Sequence, residues 1–318
     1  LTDGHLEITT EEEERTDCGQ NSRNLHDIEG NLLPRQSNSH DIVASRVKRF
    51  YDDFWTRYTP AYDACCEHLE LFFSDAEIEG KRILDAGCGM GVFSVVFGKK
   101  GAARVIGIDL SEEGVRRAQR AASHFNLSNV EFREGNVLRL PYPDGSFDIV
   151  WSWGTLHHTA EPLKALEELI RVLKDGGTLL VTLYRSTKLS FLHEGIRKTL
   201  RLAHRRMWPL LAKLIALALF PATLFLKRRK KARAGENLSD LVLDWFFNPV
   251  RHYYRPGEIR QLLEREGLII EKFLPASGRF NSTSNFIFKA KLVRDTPSTS
   301  KQKNSTAPEN RIPEKGCP

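Results

Sequence analysis

Cysteine is scarce in this 318-residue chain: there are five, an odd number, with no C-x-x-C spacing among them. That excludes a disulfide framework and a cysteine-ligated zinc site, so no metal is expected, and it points to a reducing compartment, the cytoplasm. An apolar leader is missing as well. The first 40 residues carry the acidic run Glu11–Glu14 where a secretory signal needs a hydrophobic segment. Residues 1–40 and 294–318 are polar, the latter rich in Ser, Thr, Pro and Lys, and both are expected to be disordered tails. Between them, 41% hydrophobic content over the whole chain is enough for one substantial core.

What is present is a glycine loop. Ile83-Leu84-Asp85-Ala86-Gly87-Cys88-Gly89-Met90-Gly91-Val92-Phe93-Ser94 reads as a buried strand, a tight turn and the start of a helix. Glycines at 87, 89 and 91 allow a close backbone approach to a ligand, and the helix that follows presents free N–H groups to it. A dinucleotide loop, G-x-G-x-x-G, needs its third small residue at position 92, where Val92 stands. The spacing therefore argues against a pyrophosphate, and with it against an NAD-dependent dehydrogenase.

The acid followed by G-x-G-x-G, carried by Asp85, Gly87, Gly89 and Gly91, resembles the first motif of the class I S-adenosylmethionine-dependent methyltransferases, in their small-molecule, type 11-like branch. Further along, Val105-Ile106-Gly107-Ile108-Asp109-Leu110-Ser111 is a second apolar run ending in an acid, with Ser111 placed to cap a helix running to about Asn126. The resemblance gives Asp109 the ribose hydroxyls. A third strand, Val130 to Arg133, leads to Gly135-Asn136-Val137, where the family usually carries Gly-Asp to hold the adenine amino group; here the amide oxygen of Asn136 can accept that hydrogen bond. Phe147-Asp148-Ile149-Val150-Trp151-Ser152 is a fourth strand. The helix Pro162–Leu173 is expected to end at Gly176-Gly177 before a fifth. The strong match covers residues 81–183, and the resemblance implies S-adenosyl-L-methionine as cofactor, with Leu110, Val137, Ser152 and Tyr58 joining the residues named above at its site.

Strands alternating with helices imply an α/β, Rossmann-like doubly wound sheet. The resemblance adds two more strands, Leu268–Phe273 and Phe286–Leu292, for seven in all with the last antiparallel, a methyltransferase domain over 41–293 and a helical lid or substrate insertion over 184–267. Methyl transfer from a sulfonium asks the protein mainly to align the acceptor and exclude water. A base is needed only for a hydroxyl or an acidic carbon. His157 and His158, after the fourth strand, are candidates for it, although local hydrogen bonding is the better supported role for either. In the aromatic segment Asp244 to Glu258, His252 and Tyr253 are candidates to orient or deprotonate the acceptor.

The acceptor is read partly from absences. After the fourth strand stands Ser152-Trp153-Gly154-Thr155, not the Asn-Pro-Pro-aromatic motif of enzymes that methylate base or glutamine nitrogens, and no cysteine nucleophile follows. Nucleic acid is therefore not the expected partner despite the net charge of +6. Met207–Leu226 is almost wholly apolar and is followed by the basic run Lys227–Arg233. A single crossing would separate strands that must pair, so three readings stay open for it: a buried lid helix, a dimer contact, or a helix on an anionic membrane surface through residues 207–233. Together these point to methylation of an oxygen or carbon on a small, lipophilic or lipid-linked metabolite. A soluble sugar or natural-product hydroxyl, or a catalytically silent cofactor-binding partner protein, are the alternatives.

Overall fold

The computed structural model describes residues 39–58, 62–227, 238–275 and 285–294. Helix α1 (Ser39–Trp55) is followed by α2 (Tyr62–Glu70) and the single turn α3 (Asp75–Ile78). The sheet then begins: β1 (Arg82–Ala86), α4 (Val92–Lys99), β2 (Arg104–Asp109), α5 (Glu112–His124), β3 (Val130–Glu134), β4 (Phe147–Ser152), α6 (Pro162–Val172) and β5 (Leu173–Tyr184). Four helices intervene, α7 (Ser190–Leu200), α8 (Trp208–Lys227), α9 (Leu238–Phe247) and α10 (Pro256–Arg265), before β6 (Leu268–Pro275) and β7 (Asn285–Leu292).

The seven strands lie in the order β3-β2-β1-β4-β5-β7-β6, parallel except for β7, which runs antiparallel to both its neighbours. Side chains of β1 alternate between two cores, as the two-residue period of a strand requires. Leu84 joins the face covered by α6 and α10, with Ile106, Val150, Leu166, Leu169 and Leu263. Ile83 joins the other, with Leu69, Phe73, Ile78 and Phe97 from α2 to α4 and the loop between. Trp151, fully buried there, stacks on Trp153 at 5.5 Å between ring centroids and meets Phe93 at 4.7 Å, so one aromatic column leads from the core toward the strand ends.

Two local expectations shift. Ser111 caps α5 as expected, accepting from Gly114 N, but the helix stops at His124. Gly176-Gly177 do not end a helix. Helix α6 stops at Val172 because Leu173 is already paired with Phe147, and the register then jumps to Ile149–Thr178 across an excursion in which Gly176 has φ of +72°.

A separate cluster, Phe50, Phe54, Ala212, Ala216, Val242, Leu243 and Phe247, packs α1, α8 and α9 together. Among the described residues no helix is long and apolar enough to cross a membrane. Residues 1–38 and 295–318 of the expected tails and residues 228–233 of the basic run lie outside the described residues, while Ser39 and His40 already belong to α1.

Candidate active site

Strand order reverses between β1 and β4, and in open sheets of this kind ligands bind outside the carboxyl ends of the strands at such a switch. A cavity of about 310 Å³ opens there. Its floor is the glycine loop. Gly87 N and Cys88 N both donate to Ile108 O, at 2.7 and 3.0 Å, which ties the turn to β2. Gly89 has φ of +52°, and a Cβ there would come within 2.6 Å of the Trp55 ring, so only glycine lets the loop and α1 close on each other.

Asp109 ends β2 facing the cavity. Its Oδ2 accepts from Gly89 N and its Oδ1 from Ser111 N, both at 2.8 Å. Two N–H groups fix the carboxylate, and each oxygen keeps a lone pair for a ligand hydroxyl. Burial still holds its pKa above the usual carboxylate range, against those two bonds. Asp85, the penultimate residue of β1, is 2% exposed and accepts from Ser94 Oγ at 2.6 Å. Burial pushes its carboxyl up to about 7, with Asp109 adding to the shift and the Ser94 bond opposing it.

Helix α1 roofs the cavity and is latched at three points. Lys48 Nζ donates to Leu110 O at 3.3 Å and pairs with Glu134 at 2.6 Å. Asp52 Oδ1 accepts from Ser111 Oγ at 2.7 Å, and Arg117 donates to the carbonyls of Trp55 and Tyr58. The latches hold the Trp55 indole against the cavity, where its buried N–H has no partner among the described residues.

The far wall joins α1, α9 and the loop after β4. Tyr51 OH donates to Asp244 Oδ1 at 3.1 Å, Asn248 Nδ2 donates to the Tyr51 oxygen at 2.8 Å, and Tyr184 OH lies 3.4 Å from Asp244 Oδ2. Burial raises the Tyr51 phenol well above its ordinary pKa, reinforced by Asp244. His158 borders this group. Its Nδ1 donates to Val250 O at 2.7 Å, which fixes the tautomer and leaves Nε2 with a lone pair; burial pulls its pKa down to about 4.

The sequence-derived candidates divide accordingly. Tyr58, Asp85, Gly87, Gly89, Asp109, Leu110, Asn136, Val137 and His158 all line the cavity. Asn136 does so with Oδ1 already accepting from Leu138 N at 3.0 Å. Gly91 instead caps α4 and faces Phe132 and Ala118. Ser152 is fully buried with its hydroxyl on Ala86 O at 3.0 Å, stitching β4 to β1. His157 is fully buried against Tyr184, with a ring-centroid separation of 3.7 Å, and burial drives its pKa well down. His252 binds the His157 carbonyl through its backbone, and the Tyr253 hydroxyl sits 2.7 Å from His193 Nδ1, both away from the cavity lining. Asp244, Trp55, Trp153 and Thr155 line the cavity but were not singled out from the sequence. For Asp244 a signal existed: it is the one acid in the apolar run Leu241–Phe247.

Residues 78–223 match the family described as a methyltransferase domain. Over 101 residues the chain is 38% identical to the 27-O-demethylrifamycin SV methyltransferase of Amycolatopsis mediterranei, a stretch covering 31% of this chain and 37% of that one. Residues 78–223 are thus a methyltransferase domain of the class I S-adenosylmethionine-dependent type. A second relative is the ajmaline N-methyltransferase of Rauvolfia serpentina, 37% identical over 111 residues, 35% of this chain and 38% of that one. The aligned part of the chain thus spans little more than a third of the length of either curated relative. Magnesium protoporphyrin IX methyltransferase from Synechocystis PCC 6803, solved with bound S-adenosylmethionine, superposes with a TM-score of 0.52 at 16% identity, over 82% of this chain and all of that one. That likeness shows the fold.

The cofactor of such a domain is S-adenosyl-L-methionine, and the residues at this site fit it. Asp109 would accept from the ribose diol, Asp85 stands near the glycine loop, and Trp55 Nε1 is a buried donor with no partner among the described residues. When bound, the cofactor supplies an electrophilic methyl group on a sulfonium sulfur.

Proposed function

We propose that this methyltransferase transfers a methyl group to an oxygen or carbon of a small, lipophilic metabolite. The observation that carries the reading is the wall beyond the glycine loop, built from Ala44, Val47, Phe54 and Leu241 around the polar group Tyr51–Asp244. Apolar walls of this kind bind by burying apolar surface and leave orientation to a few polar atoms. Asp109 and the glycine loop hold the nucleoside end, Asp85 faces the cationic end, and α1 excludes water once latched. The relatives' names place the methyl on oxygen in one case and on nitrogen in the other, so this wall is the better guide.

The test incubates the protein with methyl-labelled S-adenosylmethionine and an extract of its source cells, then partitions the product between organic and aqueous phases, with Asp109→Ala as control. Label is expected in the organic phase and absent with the control. Label confined to the aqueous phase would replace a lipophilic acceptor by a sugar or other polar metabolite.

A membrane-surface role for the insertion rests on a separate observation. Of fourteen exposed large hydrophobic residues among those described, nine fall between Leu189 and Leu217, including Phe191 at 78%, Leu202 at 86% and Leu217 at 70%. Helix α8 buries Ala212 and Ala216 against α1 and α9 while Leu210, Leu214 and Leu217 stay outside, with Lys198, Arg206 and Lys213 exposed nearby. Exposed leucines interleaved with cations suit an anionic lipid surface better than a buried lid.

A further inference from the structure

The charge lining the cavity is one-sided. Asp85, Asp109 and Asp244 face it, and among the described residues no lysine or arginine does, in a chain whose net charge is +6. Asp85 and Asp109 belong to the cofactor's end. Asp244 is left over: it stands in the apolar far wall, is held only by the neutral donors Tyr51, Asn248 and Tyr184, and has no ion pair among the described residues. Three neutral donors orient a carboxylate without neutralising it, a costly arrangement unless its charge is used.

Resting on the methyltransferase reading above, we infer that Asp244 is the catalytic base and that the acceptor is a neutral molecule methylated at a hydroxyl. The acceptor O–H donates to Asp244 and its proton passes to the carboxylate. The oxygen lone pair forms the bond to the methyl carbon, and the carbon–sulfur bond breaks with its pair staying on sulfur. One positive and one negative charge disappear together, which a cavity of low dielectric favours. An ammonium acceptor would instead pair with Asp244 while its lone pair remained occupied by a proton. A carboxylate or phosphate beside the reacting atom would meet Asp244 with no cation to offset it. His158 is the weaker candidate, because its burial disfavours the protonated form that a base must reach.

The test loads the protein with S-adenosylhomocysteine and titrates four probes of one shape: 4-hexylphenol, 4-hexylanisole, 4-hexylbenzoate and 4-hexylbenzylamine. The phenol is expected to bind at least tenfold more tightly than the other three. Asp244→Leu should bring phenol and anisole within twofold of each other. Asp244→Asn, which keeps the shape should the leucine variant fail to fold, should cut the phenol's advantage at least threefold and strengthen the benzoate. S-adenosylhomocysteine affinity should stay within twofold in both. An undiminished phenol preference in the variants would make Asp244 only a structural link between α1 and α9. Tightest binding of benzoate or amine by the wild type, or of no probe at all, would overturn the acceptor class. Failure of the wild type to bind S-adenosylhomocysteine would instead bring down the proposed function.

Discussion

The two walls of the cavity are assembled in different ways. The wall proposed for the cofactor draws on consecutive strand ends between Asp85 and Thr155, its lining residues sitting where a strand gives way to a turn. The acceptor's wall joins Tyr51 to Asp244 across 193 positions of sequence, and it exists only when α1, α8 and α9 have packed. The first wall is a property of the sheet. The second is a property of helix packing, so perturbations of the two should separate.

The sharpest separation is expected from Asp109→Ala. It removes the acceptor of two backbone N–H bonds along with the diol acceptor, and cofactor affinity measured by calorimetry should fall about 100-fold or more. The Tyr51–Asp244 group should be undisturbed, with the near-ultraviolet aromatic spectrum unchanged. Loss of that spectrum would mean the walls are not independent.

A pH effect should follow from Asp85. Burial lifts its folded pKa from near 4 to about 7, so its contribution to the stability of the cofactor-free protein is full below pH 4 and is lost as pH rises through 7. Cofactor cations favour the ionised form and so release the proton. Affinity should climb about tenfold per pH unit below 7, level off above it, and lose this slope in Asp85→Asn. A wild-type affinity independent of pH between 5 and 7 would remove Asp85 from the cofactor's end.

On the helical side, co-sedimentation with vesicles rich in anionic lipid should fall several-fold in Leu214→Glu/Leu217→Glu, each introduced charge disfavouring insertion, while cofactor affinity is unaffected. Equal sedimentation by the variant would return α8 to an ordinary surface. The smallest effect is expected from Ser152→Ala, which removes only the bond to Ala86 O: about 1 kcal/mol of stability by denaturant titration, with cofactor affinity within twofold.

The same division decides what the sequence makes legible. Gly87, Gly89 and Asp109 are readable because local spacing places them where strands give way to turns, and the doubly wound sheet follows from the alternation of strand and helix, whereas the antiparallel last strand is legible only through the family resemblance. Ser152 misleads for a physical reason: at the end of a central strand it turns to its neighbour and spends its hydroxyl on Ala86. His157 and His158 are adjacent, yet a 3₁₀ turn sends one ring under Tyr184 and the other to the cavity, a difference no spacing rule contains. Asp244 needs its tertiary partners to be seen as more than a helix residue.

The position of β7 sets an order of assembly. Among the described strands it is the last synthesised, yet it lies between β5 and β6 and pairs with both. Until residue 292 has emerged, β5 keeps an open edge, β6 has no partner, and the four helices between them hang from an unfinished sheet. Completion therefore waits on contacts distant in sequence, the slowest kind to form. During that interval the exposed β5 edge is where a nascent chain is most open to pairing with another copy of itself.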